Sequence, residues 1–279
     1  MAVSAPARDD DPFALSDAGA GRYVAHVERR LCTGRPESYF MFGGSGLALA
    51  ARAVERRTGG PLRWLTLQFI APTLIGARLE LTVERLTGGR VAQLSLNGAV
   101  GDEITLRGLA ATGSRSSGAP DLMAARMPDV PPPDDCPIIR AHNAIEQDVH
   151  QLLELRLVRG RFGIFSKAPR SADSRVLVWM RPTYGDVDAS ALALMADFVG
   201  STMSNAVGLR GGAGSLDNTI RVIGLPTTPW VLCDIAIPAI ADGIGHGRVD
   251  LFAEDGALLA LASQTFIARL HPAQALGSQ

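Results

Sequence analysis

Cysteine is scarce in this sequence, with only Cys32, Cys136 and Cys233 among 279 residues. Their odd number, wide separation and lack of a CxxC spacing argue against a disulfide framework, a zinc site or a redox pair, so we expect reduced, buried thiols. Histidine is also sparse, and its spacing offers no ligand set for a metal; the five are His26, His142, His150, His246 and His271. The sequence therefore predicts neither a metal nor another cofactor.

An excess of charge of either sign is lacking too, because 27 Lys and Arg residues stand against 28 Asp and Glu residues, a formal net charge of −1. Such a balance gives no electrostatic footprint for nucleic acid or an anionic membrane surface. No apolar run approaches the roughly 20 residues needed to cross a bilayer. Asp9, Asp10 and Asp11 lie where a secretory signal would be basic and then apolar. We expect a soluble cytoplasmic protein.

Apolar residues are abundant, at 47% of the chain, and they fall into two blocks. Between the blocks, from 113 to 137, Gly, Ser, Pro and Asp dominate, and Pro131, Pro132 and Pro133 stand in a row. This composition is typical of a linker. We therefore predict a disordered segment at 1–19, an N-terminal domain at 20–112, the linker at 113–137 and a C-terminal domain at 138–271.

Both blocks have the same predicted order of elements, which is a strand, a long apolar helix and a run of alternating strands. The first helix starts at Phe42, Gly43 and Gly44 and runs to about Arg57, and the second spans 189–203 with Asp188 as its N-cap. Strands are predicted at 22–30, 65–70, 78–85, 91–100 and 103–111, and then at 153–158, 175–180, 218–223, 231–237, 247–254 and 257–269.

A local similarity between the blocks indicates an internal duplication. Gly89-Arg90-Val91 opens a strand pair in the first block, and Gly247-Arg248-Val249 opens one in the second. Each pair contains a hairpin signal, Asn97-Gly98 or Asp255-Gly256, because both dipeptides tolerate positive φ. Any two antiparallel domains can share such hairpins, but the repeated order favours two copies of one α+β unit, each a long helix wrapped by an antiparallel sheet.

Asp197 is the one ionisable residue in the predicted second helix, which is apolar on nearly every face. A buried carboxylate is unfavourable unless it is hydrogen-bonded, and burial raises its pKa toward the range useful to a general base near neutral pH. The residue is therefore a candidate catalytic base. An aspartate held by neighbouring groups for structural reasons alone is the alternative.

Two more polar residues are candidates for the same site. Strand alternation places Gln264 on one face with Ala260, Ala262 and Phe266, and an amide on that apolar face could hold a water, since it both donates and accepts. A glutamine turned to solvent is the alternative. Ser215 follows a glycine-rich stretch, where a serine is more often a turn residue.

These motifs resemble those of the acyl-CoA thioesterase II family, whose members have a double-hotdog fold. The first block has the family's Phe-Gly-Gly helix start at 42–44, and its ERLTGGR turn at 84–90 is similar to ERLRDGR. In the second block, MADF at 195–198 is similar to an SD helix segment, SLDNTI at 215–220 to a TIDHS or SLDHTI strand, and LASQTF at 261–266 to an ASTVQEG strand. The resemblance covers residues 20–270.

The resemblance implies a tandem double hotdog whose substrate is an acyl-CoA or another acyl thioester. It further implies that Asp197, the hydroxyl of Ser215 and the amide of Gln264 orient and activate one water for attack on the thioester carbonyl. Ser215 replaces a common threonine and keeps the hydroxyl, whereas Asn218 and Thr66 stand where many members have histidine. We expect these last two differences to alter substrate choice more than chemistry.

Five further residues are candidates for substrate binding. Gly43 and Gly44 could supply backbone N–H donors to an oxyanion from a helix N-terminus, although a tight helix entry explains them equally well. Arg90 and Arg248 could pair with CoA phosphates, and His246 could touch a ligand from its glycine-rich turn. Isolated arginines and loop histidines are more often simply solvated.

Other hypotheses remain open at this point. A catalytically silent double-hotdog protein of a biosynthetic pathway would bind an acyl or aromatic ligand without turnover, and a hydratase would need a pair of Asp and His that the spacing does not provide. A serine hydrolase is disfavoured, because a GxSxG elbow around Ser45 would need glycine at Leu47. Exposed sheet edges predict a homodimer or larger homo-oligomer.

Overall fold

The computed structural model describes residues 11–35, 38–115, 118, 120–140, 148–163, 166–209 and 211–270. Within these ranges each half of the chain contributes helical segments and several strands. The elements of the first half are β1 (Ser16–Gly19), β2 (Arg22–His26), β3 (Cys32–Arg35), β4 (Ser38–Met41), α1 (Gly43–Thr58), β5 (Leu62–Phe69), β6 (Arg78–Arg85), β7 (Val91–Val100) and β8 (Glu103–Gly113). Those of the second half are β9 (Leu153–Arg159), β10 (Arg175–Pro182), α2 (Ala189–Met195), α3 (Met203–Val207), β11 (Gly211–Val222), β12 (Val231–Ala241), β13 (Ile244–Ala253) and β14 (Leu258–Leu270).

Twelve of the strands form one antiparallel sheet in the order β1-β2-β6-β7-β8-β5-β11-β14-β13-β12-β10-β9. The two halves meet where β5 pairs with β11, from Trp64 opposite Arg221 to Gln68 opposite Asp217. The two halves have the same strand order when it is counted outward from this junction, namely β5-β8-β7-β6-β2 and β11-β14-β13-β12-β10. In each half, the strand that follows the helical segment in the chain lies at the junction. The predicted α+β class with two tandem units is confirmed.

The inner face of the sheet, on the side of the helices, carries the main hydrophobic core. The first helix, α1, packs on β5 and β8 and against α2. Its predicted apolar face is buried at Leu47, Ala50, Ala51 and Val54. The helix ends at Gly59, whose φ of 71° is a left-handed conformation that glycine adopts without strain.

The second helix differs from the single helix predicted at 189–203. The α-helix α2 ends at Met195, Asp197 lies at a break with φ −97° and ψ 7°, and a 3-10 turn over Phe198–Thr202 leads into α3. Aspartate is a poor residue for a helix interior, and here its carboxylate is engaged by side chains of two strands. At Gly200 the turn approaches β11 so closely that an added Cβ would lie 2.9 Å from that of Ala213.

Residues 11–19 are ordered, which corrects the predicted disordered segment at 1–19; residues 1–10 lie outside the described part. Ser16–Gly19 forms the edge strand β1. Phe13 is fully buried, and its ring packs edge-on against Tyr184 of the second half at 5.6 Å. The sequence did not reveal this packing, because the apolar segment around Phe13 is short and Tyr184 is more than 160 residues away in the chain.

The predicted linker is also more than a spacer. Its later part packs on the outer face of the second half of the sheet, where Met127 and Val130 contact a cluster that includes Trp179. The indole Nε1 of Trp179 donates a hydrogen bond of 3.0 Å to the carbonyl of Pro131. The proline-rich segment thus covers apolar surface on the second unit.

In the first half one local prediction was wrong and one element was missed. Asn97 and Gly98 do not form a hairpin turn, because β7 continues through them to Val100 and the chain reverses at Gly101 and Asp102. Strand pairing with β6 and β8 overrides the local turn preference there. The two-stranded ribbon of β3 and β4 was not predicted. The second hairpin signal is confirmed at Asp255 and Gly256, between β13 and β14.

None of the helices in the described ranges is long and apolar enough to cross a bilayer.

Candidate functional site

Asp197 lies at the centre of a polar cluster inside the protein. Its side chain follows α2 at the helix break, and the residue is only 3% exposed. Burial raises the pKa of Asp197 to about 7, and the side-chain hydrogen bonds from Asn218 and Ser215, together with the nearby backbone N–H of Gly44, oppose part of that rise. A carboxyl group with this pKa can accept a proton at neutral pH and return it afterwards.

One oxygen of Asp197, Oδ1, accepts hydrogen bonds from three side chains. Asn218 Nδ2 donates at 3.0 Å, Gln264 Nε2 donates at short range, and the Ser215 hydroxyl donates at 3.5 Å. Gln264 Nε2 also donates to Ser215 Oγ at 2.7 Å. The structure therefore brings Asp197, Ser215 and Gln264 together in one connected network and adds Asn218 to it.

A β-bulge explains how β11 supplies two of these side chains. Residues 215 and 218 are three apart, so a regular strand would turn them to opposite faces of the sheet. The register against β14 shifts between Ser215 and Asp217, and the extra residue turns both Ser215 and Asn218 inward. Asn218 pairs directly with Gln264 on β14, which alternation had placed on the inner face.

The start of α1, from the first half, closes the other side of Asp197. A Cβ atom at Gly43 would lie 2.5 Å from Asp197 Oδ2, and one at Gly44 would lie 2.6 Å from the carbonyl oxygen of Leu194. Neither position has room for a side chain. The two glycines therefore allow the N-terminus of one helix to approach the carboxyl group at the end of another.

Three oxygen atoms of the cluster lack a hydrogen-bond donor among the described residues. They are Asp197 Oδ2, Asn218 Oδ1 and Gln264 Oε1. Buried polar atoms are nearly always paired in folded proteins, so these acceptors are the positions at which a water molecule or a polar group of a ligand would bond. Oδ2 is the oxygen that faces Gly43.

A cavity of about 270 Å³ adjoins this cluster, and both Gly43 and Ser215 line it. Its wall is mainly apolar, with Met41, Phe42, Phe69 and Leu106 among the lining residues. Met41 comes from the ribbon that the sequence did not reveal, and Phe42 packs against Phe198 with ring centroids 4.9 Å apart. The cavity can hold an apolar group beside a polar cluster that is shielded from bulk water.

Three of the residues predicted to bind substrate lie elsewhere. His246 and Arg248 are exposed on the outer face of β13, opposite Thr265 and Ser263, whereas Gly247 between them faces inward toward Val199. Arg90 precedes β7 at the far end of the sheet. Val91, next to Arg90, pairs with Gly113, and the neighbouring Thr112 pairs with Leu62 at the start of β5. Phe69, which lines the cavity, is seven residues farther along β5, or roughly 23 Å at the rise of a strand. None of these three is among the described residues that line the cavity beside Asp197.

Asn218 and Thr66, which stand where many members of the family have histidine, lie in different surroundings. Asn218 is fully buried and binds Asp197 directly, so it belongs to the polar cluster. Thr66 lies on the outer face, where its hydroxyl bonds that of Thr219 at 2.7 Å across the junction of the halves. No group of three or more metal-ligating side chains occurs among the described residues.

Comparisons with known proteins agree with this architecture. Residues 33–113 match the family model of the acyl-CoA thioesterase N-terminal domain, and residues 133–268 match that of the acyl-CoA thioesterase C-terminal domain. No curated protein sequence matches the chain.

Several solved structures have a similar fold over most of the chain. A candidate thioesterase of Novosphingobium aromaticivorans is 32% identical, with 91% of this chain and 98% of that one covered and a TM-score of 0.81. A hot dog protein of unknown function from Alicyclobacillus acidocaldarius is 24% identical, with 94% and 98% covered and a TM-score of 0.81. The acyl-CoA thioesterase II TesB2 of Mycobacterium marinum is 20% identical, with 93% and 97% covered and a TM-score of 0.71. The last two likenesses establish the double-hotdog fold alone.

Proposed function

Because the chain belongs to the acyl-CoA thioesterase family, and is thus a thioester hydrolase, we propose that it converts an acyl-CoA and water to a free acid and CoA with Asp197 as the general base. In this proposal Ser215 and Gln264 position the base and the water. The observation that carries it is a buried carboxyl group with a pKa of about 7, held by three donors on one oxygen at the edge of an apolar cavity.

The reaction begins with a water molecule between Asp197 and the thioester carbonyl. Since Oδ1 is occupied by Asn218, Gln264 and Ser215, the other oxygen, Oδ2, accepts the proton of the water. The water oxygen then bonds to the carbonyl carbon, and the carbonyl oxygen takes up the negative charge. Fixed dipoles around a buried base replace the reorganisation that bulk water would require.

The tetrahedral intermediate then collapses. The C–S bond breaks, the thiolate of CoA leaves with the electron pair, and the proton on Asp197 passes to the leaving sulfur, so the base is ionised again. Backbone N–H groups at the start of α1 have no acceptor within their own helix. Gly43 is the first residue of that helix and lines the cavity, so its N–H is our candidate donor to the carbonyl oxygen.

Substitution of Ser215 tests whether Asp197, Ser215 and Gln264 act together. We expect Ser215→Ala to lower kcat for hydrolysis of acyl-CoA by about 10- to 100-fold, because loss of the hydroxyl leaves Gln264 and Asp197 with one partner fewer and misplaces the base. Ser215→Thr keeps the hydroxyl, so its kcat should remain within about threefold of the original.

Release of free CoA from a series of acyl-CoAs of different chain length measures both variants. Ser263→Ala, on the exposed outer face of β14, is the matched control and should change nothing. Equal turnover in Ser215→Ala and the original protein would remove Ser215 from the site. Absence of turnover with every chain length would favour the silent ligand-binding protein.

The pH dependence follows from the raised pKa of Asp197. The base must be ionised to accept a proton, so kcat/KM should rise about tenfold per pH unit up to about pH 7 and level off above it. Initial rates of CoA release between pH 5 and 8.5, corrected for non-enzymatic hydrolysis, give this profile. A profile that is already flat from pH 5 upward, as expected for the ordinary aspartate pKa of about 4, would contradict the assignment.

Assembly into a homodimer or larger homo-oligomer and a cytoplasmic location stay predictions from the sequence.

A further inference from the structure

The cavity passes through a split in the central sheet. Pairing of β5 with β11 stops at Gln68 and Asp217. Beyond that point the first half stays with β8, where the Ile70 N–H donates to the Thr105 carbonyl at 2.8 Å, and β11 stays with β14 as far as Gly211 opposite Leu270. The two strands are thus unpaired where the halves of the protein meet, and the cavity there is lined both by Ser215 of the polar cluster and by the exposed Arg269.

The two ends of this passage differ in exposure. At the inner end lie Gly43 and Ser215, in contact with the buried Asp197. At the outer end lie Phe40 and Ile70, which are 39% and 56% exposed, and the exposed side chain of Arg269. A substrate that reaches Asp197 through the split therefore passes Arg269.

Arg269 carries the one formal charge among the described residues that line the cavity. Its guanidinium group lies over Gly214, with Nη2 3.3 Å from the position that a Cβ atom would take there. A larger residue at 214 would crowd the arginine. Arg269 forms no ion pair or side-chain hydrogen bond within the part of the chain that the structure describes, so its donors are available to an anion.

We propose that Arg269 binds the phosphate groups of the CoA moiety at the mouth of the split while the thioester reaches Asp197 inside. This inference rests on the proposed function. Arg269 lies three residues beyond Phe266, the partner of Ser215, or roughly 10 Å along the strand. The flexible pantetheine arm can bridge that separation, with the sulfur near Ser215 and the phosphates outside.

The chemistry of a guanidinium group suits this role. Its planar set of donors matches phosphate oxygens in a bidentate manner, and such charge-assisted bonds are stronger than neutral ones. Arg269 thus takes the place that the sequence had given to Arg90 and Arg248. A carboxylate on the acyl group would make similar bonds, so the test must separate an acidic acyl chain from the phosphates.

Equilibrium binding supplies the first arm of the test and needs no turnover. Titration calorimetry compares CoA with pantetheine, which lacks the phosphates. We expect Arg269→Gln to weaken CoA binding by about tenfold without changing pantetheine binding, and Arg269→Lys, which keeps the charge, to recover part of the affinity. Arg221→Gln, an exposed arginine farther along β11, is the matched control and should bind CoA as the original does.

Kinetics supplies the second arm, with the hexanoyl thioesters of CoA, 4′-phosphopantetheine and N-acetylcysteamine, none of which has an acyl carboxylate. We expect Arg269→Gln to raise KM for the CoA substrate by about tenfold at unchanged kcat, with no change for the N-acetylcysteamine substrate. The effect of Arg269→Gln on KM for the 4′-phosphopantetheine substrate shows whether Arg269 binds the phosphate of the pantetheine arm or those nearer the nucleotide.

Equal effects on all three substrates, or no effect on CoA binding, would overturn the assignment of Arg269. Failure of the original protein to hydrolyse any thioester would instead overturn the proposed function, and the binding arm would still decide the role of Arg269.

Discussion

Replacement of Asp197 by asparagine is expected to lower kcat for acyl-CoA hydrolysis by about 10²- to 10⁴-fold, the usual contribution of a general base. The asparagine side chain has nearly the same shape, and its oxygen can accept from Asn218, Gln264 and Ser215 as Oδ1 does now. The amide cannot take a proton from water. The loss should therefore appear in kcat, with KM and the folded structure largely retained.

Asp250→Asn is the matched control for this experiment. Burial raises the pKa of Asp250 as well, with Asp234 as the second cause, but the residue lies on the outer face of β13. The same change of charge and shape there should leave kcat within about twofold, as expected for a substitution far from the reacting atoms. Full activity in Asp197→Asn, confirmed on protein with an unchanged circular dichroism spectrum, would contradict the assigned base.

Asp197→Asn is also expected to alter stability in a pH-dependent way. The folded protein holds the Asp197 proton up to about pH 7, whereas the unfolded chain releases it near the ordinary value of about 4. Between these two pH values the folded state binds more protons, so the free energy of unfolding of the original protein falls as pH rises. Over the whole window the fall amounts to roughly 4 kcal/mol.

The variant has no such proton to lose. Asp197→Asn should therefore match the original near pH 4 and be more stable by up to roughly 4 kcal/mol at pH 8. Urea denaturation at several pH values measures this difference, with Ser263→Ala, which removes no titratable group from the exposed face of β14, as the control whose difference stays flat. A constant difference between Asp197→Asn and the original at all pH values would mean that the pKa of Asp197 is the same in the folded and unfolded protein and is not raised by burial.

Part of the site could be predicted because its residues break a local pattern. Asp197 is a lone carboxylate in an apolar helical stretch, and Gln264 is an amide on an apolar strand face. Period 3.6 and period 2 place both side chains inside the protein. The two residues are 67 positions apart in the chain, and the resemblance to the thioesterase family is what joined them in one site before the fold was known.

Other parts depended on features that local periodicity does not encode. The bulge at Ser215 and Asp217 decides that Asn218 faces Asp197, and it is a property of the pairing with β14. Likewise, the position of Arg269 at a cavity mouth depends on where β5 and β11 separate. Arg90 and Arg248 were chosen for their turns, but long-range pairing sends one to the far end of the sheet and the other to its outer face.

The two halves contribute unequally to the site. The second half supplies Asp197 and the side chains that bind it, and the first supplies the helix start at Gly43 and Gly44 and much of the apolar wall. The carboxylate of one unit thus lies against the helix N-terminus of the other, which stabilises its ionised form. The order of elements in the sequence predicted the duplication, whereas the contact of Asp197 with the start of α1 could be seen only in the folded structure.

The central claim, that Asp197 activates a water instead of attacking the thioester itself, is tested most directly by one turnover in H₂¹⁸O with the enzyme in excess over hexanoyl-CoA. If water attacks the carbonyl carbon, the hexanoic acid formed in that first turnover carries one ¹⁸O atom, and the peptide that contains Asp197 carries none. Unlabelled acid together with ¹⁸O in the Asp197 carboxyl group would show an acyl-enzyme intermediate and would contradict the account.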